Sequence, residues 1–284
     1  MAHVFSRLLL ATEHSEFDVG AEALAFALAA RCGLPLAGVL PIVSNPEYEA
    51  LAPQIAAAAD AQAAQRIQAL QAQAQALGVS LDLQARRGEE PFQEIVDAAV
   101  EGAADLLVIR RRGKRSFLAR LMIGEMVAKV VANAPCSVLI VPRAAAMWSR
   151  RVLAAIDPRA VDLRIVAQAA AVAAECALPL LLVAVVDSPA AEATQLAEQA
   201  LARARATAQA AGVQADVLLR VGRAHEQILA AAAERQADLV VVGRHGESRL
   251  ARAWLGGVTQ KVVGLADRPV LVAVFPPPKG APAP

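Results

Sequence analysis

Short runs of Val and Leu alternate along the chain with longer segments in which apolar residues recur at helical spacing. In the second half, apolar runs at 152–156, 178–186, 213–221, 238–243 and 269–275 are separated by helical patterns at 159–176, 189–211, 224–236 and 255–266. Continuous apolar runs of this length indicate strands of a parallel sheet that is buried on both faces. Right-handed crossovers through the helices then predict a doubly wound α/β layer.

The same pattern occurs twice, because the chain is an internal repeat of about 140 residues. RLLLATEHSEFD (7–18) and RVLAAIDPRAVD (151–162) begin the two copies, and ADLLVI (104–109) later matches ADLVVV (237–242). The second copy lacks a segment around SNPEYEALAP (44–53), which we expect to be a loop.

The repeat predicts two tandem domains, at 1–143 and 150–276. The proline-rich end, 277–284, is expected to be a flexible tail. The last strands of the two copies, 136–141 and 270–275, are candidates for covering each other's exposed edge within the chain, as in a pseudo-dimer.

Composition restricts the class of protein further. The chain is 57% hydrophobic, but its longest apolar run, 177–186, is far short of the roughly 20 residues of a membrane helix. A net charge of +1 argues against broad electrostatic binding to nucleic acid. The three cysteines are scattered and show no metal-binding spacing with histidine, so no metal site is expected. We expect a soluble, cytoplasmic protein.

Ligands of such sheets bind at the carboxyl ends of strands, where the strand order reverses. In the second copy Asp157 follows the first strand, and Gly243 and Gly246 follow the fourth. Gly256 and Gly257 then come just before a helical pattern, whose first N–H groups form an anion site without any side chain. A carboxylate for sugar hydroxyls beside a cradle for phosphates fits a nucleotide in outline.

These residues carry a family resemblance. The segment Gly243-x2-Gly246-x9-Gly256, with Asp157 at the end of strand one, resembles the ATP-binding class of the universal stress protein family. The resemblance covers the whole chain as two tandem Rossmann-like (adenine nucleotide alpha hydrolase-like) domains, each an open five-stranded parallel sheet flanked by helices. It implies a bound ATP or other adenine nucleotide, with or without Mg²⁺.

The resemblance also implies a set of contacts. Asp157 would contact the adenosine part with Ala155 and Ile156 beside it, and Val185 would line the adenine pocket. The ribose and phosphates would lie along Val242, Gly243 and Gly246. The phosphate tail would be surrounded by Gly256, Gly257 and Val258.

The second copy departs from the family pattern at one position. The pattern ends in Gly followed by Ser or Thr, and position 257 is Gly. A hydrogen bond to a charged group is worth about 1.5–3 kcal/mol, so its loss would weaken binding or shift it toward AMP or ADP. The hydroxyl of Thr259 is a candidate substitute.

The first copy departs further and is expected to be a degenerate site. Glu13 stands for Asp157, and Arg110 stands for Gly243, where its side chain would intrude on the ligand. Gly113 is kept, but Gly124 comes one residue late and Glu125 follows it with a negative charge. The run Arg110-Arg111-Arg112-Gly-Lys114-Arg115 would attract an anion or face solvent.

Several residues have simpler interpretations. The glycines of the second copy would serve equally as turn residues, and Asp157 as a turn or N-cap residue. Asp18 and Asp162 are expected to cap the first helix of their copy or face solvent. The adjacent Glu13, His14 and Ser15 do not form a hydrolytic triad, whose members come from separate segments.

The sequence therefore predicts a tandem stress-response regulatory module that binds an adenine nucleotide in its second domain. No catalytic residue is expected, and any ATP hydrolysis would be slow. The alternative is a structural or partner-binding stress protein without a nucleotide. The expected partners are the nucleotide, an unidentified protein and a second copy of the chain as a homodimer, and neither nucleic acid nor a membrane.

Overall fold

The computed structural model describes residues 3–111, 124–244 and 255–275. Within these residues each copy consists of five parallel strands with helices on both faces, which confirms the predicted α/β fold. The first copy contains β1 (Leu8–Ala11), α1 (Val19–Cys32), β2 (Leu36–Val43), α2 (Pro46–Leu51), α3 (Pro53–Ala76), β3 (Leu81–Gly88), α4 (Pro91–Glu101), β4 (Leu106–Arg110), α5 (Glu125–Asn133) and β5 (Ser137–Val141). The second contains β6 (Val152–Ile156), α6 (Leu163–Glu175), β7 (Leu180–Val186), α7 (Ala191–Ala210), β8 (Ala215–Val221), α8 (Ala224–Glu234), β9 (Leu239–Gly243), α9 (Gly257–Leu265) and β10 (Val270–Ala273).

Alternating strand residues supply two core layers, one on each face of the sheet. Leu8 and Leu10 of β1 face the layer formed with α1, α3, α6 and α7, whereas Leu9 faces the layer formed with α4, α5, α8 and α9. The alanine-rich helices lie close to the sheet because small side chains leave little separation, as at Ala200 and Ala204 of α7, both buried. Burial on both faces explains why the strands are continuously apolar.

The two sheets join into one. In the described part of the chain the strand order is β3-β2-β1-β4-β5-β10-β9-β6-β7-β8. Among the strands of the described residues, the one antiparallel pairing joins the last strands of the two copies, with Leu139 of β5 opposite Leu271 of β10. Each last strand covers the edge of the other, which is the contact that the sequence suggests.

Two arginines at equivalent positions strengthen this junction from the α5 and α9 side. Arg111, which follows β4, donates from Nη1 to the carbonyl oxygens of Gly264 and Ala266 at the end of α9, at 2.8 and 2.6 Å. Arg244, which follows β9, donates to the carbonyl oxygens of Ala132 and Ala134 at the end of α5, both at 3.2 Å. Each domain therefore caps the last helix of the other with a cation, where the helix dipole favours positive charge.

One expectation for the first domain is wrong. The segment 44–53, expected to be a loop, contains the short helix α2. The Asn45 side chain accepts a hydrogen bond from the backbone N–H of Glu47 at 3.0 Å, which is an N-cap interaction. Asn-Pro-Glu is thus a helix start signal, with Pro at the first helical position.

Among the described helices, none has both the length and the apolar character that crossing a membrane requires. The predicted tail lies outside the described residues.

Candidate nucleotide site

The second domain has a crevice at the place where its strand order reverses. β6 lies between β7 and β9, and the chain leaves β6 in one direction to reach β7 but returns on the other side as β9. The pairing of β6 with β9 is in register as far as Ala154 opposite Val241. Both strands continue for two further residues, to Ile156 and Gly243, so their carboxyl ends flank the crevice.

Asp157 lies at one side of this crevice, directly after β6. One of its carboxylate oxygens accepts a hydrogen bond from the backbone N–H of Arg159 at 3.0 Å. The residue therefore has the turn role that the simpler interpretation gives it. This bond occupies Oδ1 of a carboxylate that has several acceptor positions, so a turn role and a ligand role are compatible.

Glycines lie at the other side, between β9 and α9. Gly256 is the N-cap of α9, and its N–H donates to the carbonyl oxygen of Arg244 at 3.0 Å. Gly257 is the first residue of α9, and a Cβ placed on it would meet no atom of the described residues within 4 Å. As far as residues 124–244 and 255–275 show, the first turn of α9 therefore presents backbone N–H groups beside open space, which suits an anion.

The hydroxyl of Thr259 is not a ready substitute for a hydroxyl at position 257. The Thr259 side chain is buried, and its Oγ1 donates to the carbonyl oxygen of Gly243 at 2.7 Å. A hydroxyl has one proton to donate, and this bond uses it to join the start of α9 to the end of β9. Thr259 thus positions the glycine segment, and the expectation that it could donate to a phosphate is wrong for the observed geometry.

The other predicted site residues differ in exposure. Ile156 and Val242 are buried in the core layers, Ala155 and Val185 are partly buried, and Val258 is 44% exposed at the first turn of α9. Ile156 and Val242 can therefore form only the wall of a pocket, whereas Val258 is open to a ligand. Gly246 and the neighbouring His245 lie outside the described residues.

In the first domain a salt bridge spans the equivalent crevice. Arg110 at the end of β4 donates to Glu13 at 2.7 Å, to Asp18 at 2.6 Å and to Ser15 Oγ at 2.7 Å, all on the segment that follows β1. The side chains of Arg110 and Asp18 are only 4% and 1% exposed. The guanidinium therefore lies in the crevice of the first domain, and Arg110 stands at the position equivalent to Gly243.

This network corrects two expectations. Asp18 is the N-cap residue of α1, but its side chain makes no cap hydrogen bond and is buried against Arg110 instead of facing solvent. Arg110 and Arg111 do not simply face solvent, because one lies in this network and the other caps α9, whereas Arg112, Lys114 and Arg115 of the same run lie outside the described residues. Asp162, by contrast, caps α6 as predicted, accepting from the N–H of Arg164 at 3.0 Å.

The start of α5 differs from that of α9 by one charge. Gly124 and Gly256 are both N-cap residues with nearly the same backbone angles, φ −56° and ψ 139° against φ −57° and ψ 140°. Glu125 then occupies the first position of α5, is 84% exposed, and pairs with Lys129 at 3.3 Å. Its carboxylate interacts with the helix dipole that a phosphate would otherwise use.

Two contacts at the carboxyl edge of the second domain had no signal in the sequence. Arg159 forms an ion pair at 3.3 Å with Asp187, which follows β7, so the ends of β6 and β7 are linked beside the crevice. Arg244, adjacent to Gly243, is held in the domain interface, where burial lowers the pKa of its guanidinium. Both partners come from segments that are distant in sequence, and only the topology brings them together.

Comparison with known proteins identifies the family. The model of the universal stress protein family matches the chain twice, at residues 5–142 and 149–273. The chain belongs to the universal stress protein family. The two matches coincide with the two repeats, so the protein is a tandem universal stress protein, as its sequence suggests.

Relatives of this tandem universal stress protein include the universal stress protein Slr1230 of Synechocystis, 27% identical over 175 residues. The match covers 61% of the chain and 58% of that relative, so the chain spans less than two thirds of its length. A universal stress protein from Archaeoglobus fulgidus superposes with a TM-score of 0.69 at 19% identity, covering 96% of the chain and 97% of that structure. A putative universal stress protein from Pseudomonas aeruginosa gives 0.64 at 20% identity, covering 94% and 93%. These structural matches establish the fold.

Proposed function

We propose that the second domain of this tandem universal stress protein binds ATP or another adenine nucleotide in the crevice between β6 and β9. The observation that carries the proposal is the pairing of Asp157 on one side of the crevice with the open glycine start of α9 on the other. A carboxylate accepts hydrogen bonds from ribose hydroxyls, and a helix N-terminus binds phosphate.

Each group then has a defined role. Asp157 accepts from the ribose, while Ala155, Ile156 and Val185 form the apolar surface against which the adenine lies. Gly243 and Gly246 allow the backbone to approach the ribose and phosphates closely, with Val242 behind them. The N–H groups at Gly257 and Val258, after the N-cap Gly256, hold the phosphate tail, with or without Mg²⁺. None of the described residues is assigned a catalytic role, so the nucleotide is a ligand and at most a slow substrate.

The first domain has a supporting role in this proposal. Its crevice is spanned by the buried Arg110–Asp18 pair, and Glu125 places a negative charge at the start of α5. Its β5 completes the sheet of the second domain by pairing with β10. The protein is then a regulatory module with one ligand site per chain. Nucleotide binding at this site regulates its interaction with a protein partner.

The proposal is tested by calorimetry with a matched pair of variants. Asp157→Ala removes hydrogen bonds to a charged acceptor, which are worth about 1.5–3 kcal/mol, so adenine nucleotides should bind about 10 to 150 times more weakly. Glu13→Ala removes the equivalent carboxylate of the first domain and should leave the affinity unchanged. Equal losses from the two variants would contradict the assignment of the site to the second domain.

The second candidate function is a partner-binding stress protein without a nucleotide. Gly257 lacks the hydroxyl of the family pattern, and the Thr259 hydroxyl already donates to Gly243, which together favour this candidate. It predicts no heat on titration with millimolar ATP, ADP or AMP, and no effect of Asp157→Ala in any nucleotide assay.

A further inference from the structure

Three side chains of the types that bind metals meet at the sheet edge opposite the nucleotide crevice, where the C-terminal ends of α1 and α6 approach each other. His3 Nδ1 lies 2.5 Å from Glu175 Oε1, and Cys32 Sγ lies 3.7 Å from the same oxygen. The three ligand atoms are all within 4.8 Å of one another. They come from three separate segments, since His3 and Cys32 precede Glu175 by 172 and 143 residues.

We propose that His3, Cys32 and Glu175 form a zinc-binding site that joins the two domains. An imidazole, a thiol and a carboxylate together match the nitrogen, sulfur and oxygen ligands of zinc. Calcium and magnesium prefer sites made of oxygen alone, so the thiol and imidazole select against them. Three protein ligands leave a fourth position for water.

Two of the three ligand distances require little rearrangement, and the distance from His3 to Cys32 is at most 4.8 Å. Ligand atoms around a tetrahedral zinc lie about 3.3–3.8 Å apart, given zinc–ligand distances of about 2.0–2.3 Å. The Cys32–Glu175 distance already falls in this range. The His3–Glu175 hydrogen bond must lengthen by less than about 1 Å, which the partly exposed side chains permit, at 35% and 28% exposure.

Neighbouring groups orient the ligands. Glu175 Oε2 accepts from the backbone N–H of Val4 at 3.1 Å, which fixes the carboxylate next to His3. Trp148 Nε1 donates to the sulfur of Cys176 at 3.3 Å, so the second thiol of this region has its own partner. The adjoining cavity of about 30 Å³ has Cys32, Glu175 and Cys176 in its lining, together with mostly apolar residues such as Phe5, Leu8 and Trp148.

Binding replaces the thiol proton of Cys32 by the metal and releases it to solvent. His3 and Cys32 belong to the first domain and Glu175 to the second, so the ion crosslinks the domains at the end remote from the glycines. The site is therefore independent of the proposed nucleotide site.

The test uses the full chain with no affinity tag at either end, after removal of metals with a chelator. Titration with Co²⁺ should give one equivalent per chain and a sulfur-to-cobalt charge-transfer band. Zn²⁺ should displace the Co²⁺ and raise the melting temperature. Cys32→Ser should abolish the band, and His3→Ala should weaken zinc binding at least about tenfold. His3→Ala lies outside the cores, so it remains informative if Cys32→Ser impairs folding.

The control variant is Cys136→Ala, which removes a buried cysteine from the core layer on the other face of the sheet and should leave metal binding unchanged. Retention of the cobalt band and of the zinc affinity in Cys32→Ser would overturn the proposal. So would the absence of stoichiometric metal binding by the wild-type chain, or loss of the band only with Cys176→Ser.

Discussion

The Arg110–Asp18 pair offers the sharpest prediction about stability. Arg110→Met keeps most of the side-chain volume but removes the cation from a carboxylate that is 1% exposed. Removing one partner of a buried ion pair costs about 3–5 kcal/mol, because the remaining carboxylate keeps its hydrogen bonds from Ser15 but loses its countercharge. At about 2–4 °C per kcal/mol for a domain of this size, the melting temperature should fall by about 6–20 °C.

Two further variants isolate the cause. Arg143→Met removes an exposed pair with Glu16, in which both side chains are 59% exposed, and should cost less than about 1 kcal/mol. Arg110→Met combined with Asp18→Asn removes the charge and the cation together, and the amide oxygen can still accept from the N–H of Ser15, which Asp18 binds at 2.9 Å. The double variant should regain most of the lost stability.

Thermal and urea denaturation of the four proteins measure these differences. The reasoning would be refuted if Arg110→Met cost no more than Arg143→Met, since the buried carboxylate would then not need its partner. It would also be refuted if the double variant were less stable than Arg110→Met alone, because the loss would then arise from packing and not from charge.

Three other predictions concern nucleotide binding, the domain junction and a buried thiol. Gly257→Ser adds the hydroxyl of the family pattern at a position where a new Cβ meets no atom of the described residues. It should therefore strengthen nucleotide binding by up to about 1.5–3 kcal/mol, and Gly257→Ala is the control that adds no donor. Arg244→Met removes the hydrogen bonds to the end of α5, and Arg111→Met removes those to the end of α9. Each variant should lower the free energy of unfolding, measured in urea, by about 1.5–3 kcal/mol. No change in either variant would contradict the capping role. Burial raises the pKa of the Cys136 thiol to about 12. Iodoacetamide should therefore not modify this thiol in the native protein at pH 8, but should modify it in urea. Rapid modification of the native protein would contradict this prediction.

The sequence predicts the second domain closely because its periodicity is strong. The strand expected at 213–221 is observed as Ala215–Val221, and the helix expected at 224–236 as Ala224–Glu234. Pairing of the last strands was also predictable, since an apolar edge strand needs a cover and the repeat supplies two of them.

The missed features depend on contacts between segments that are distant in the chain. The caps by Arg111 and Arg244 require the antiparallel junction of the two sheets, which brings each arginine to a helix of the other domain. The cluster of His3, Cys32 and Glu175 has no sequence spacing typical of a metal site, because its ligands meet only across that junction. A local sequence pattern predicts which helix or strand a residue belongs to. It does not predict how the helices and strands of two domains pack together, and these contacts depend on that packing.

The nucleotide content of the protein tests the central proposal most directly. The purified chain would be denatured, the released nucleotides separated by ion exchange, and stripped protein titrated with ATP, ADP and AMP. The account predicts about one adenine nucleotide per chain, lost in Asp157→Ala and kept in Glu13→Ala. Two nucleotides per chain would show that Arg110 does not block the crevice of the first domain. If no nucleotide binds at millimolar concentration, a nucleotide-binding role for the glycines of the second domain is contradicted.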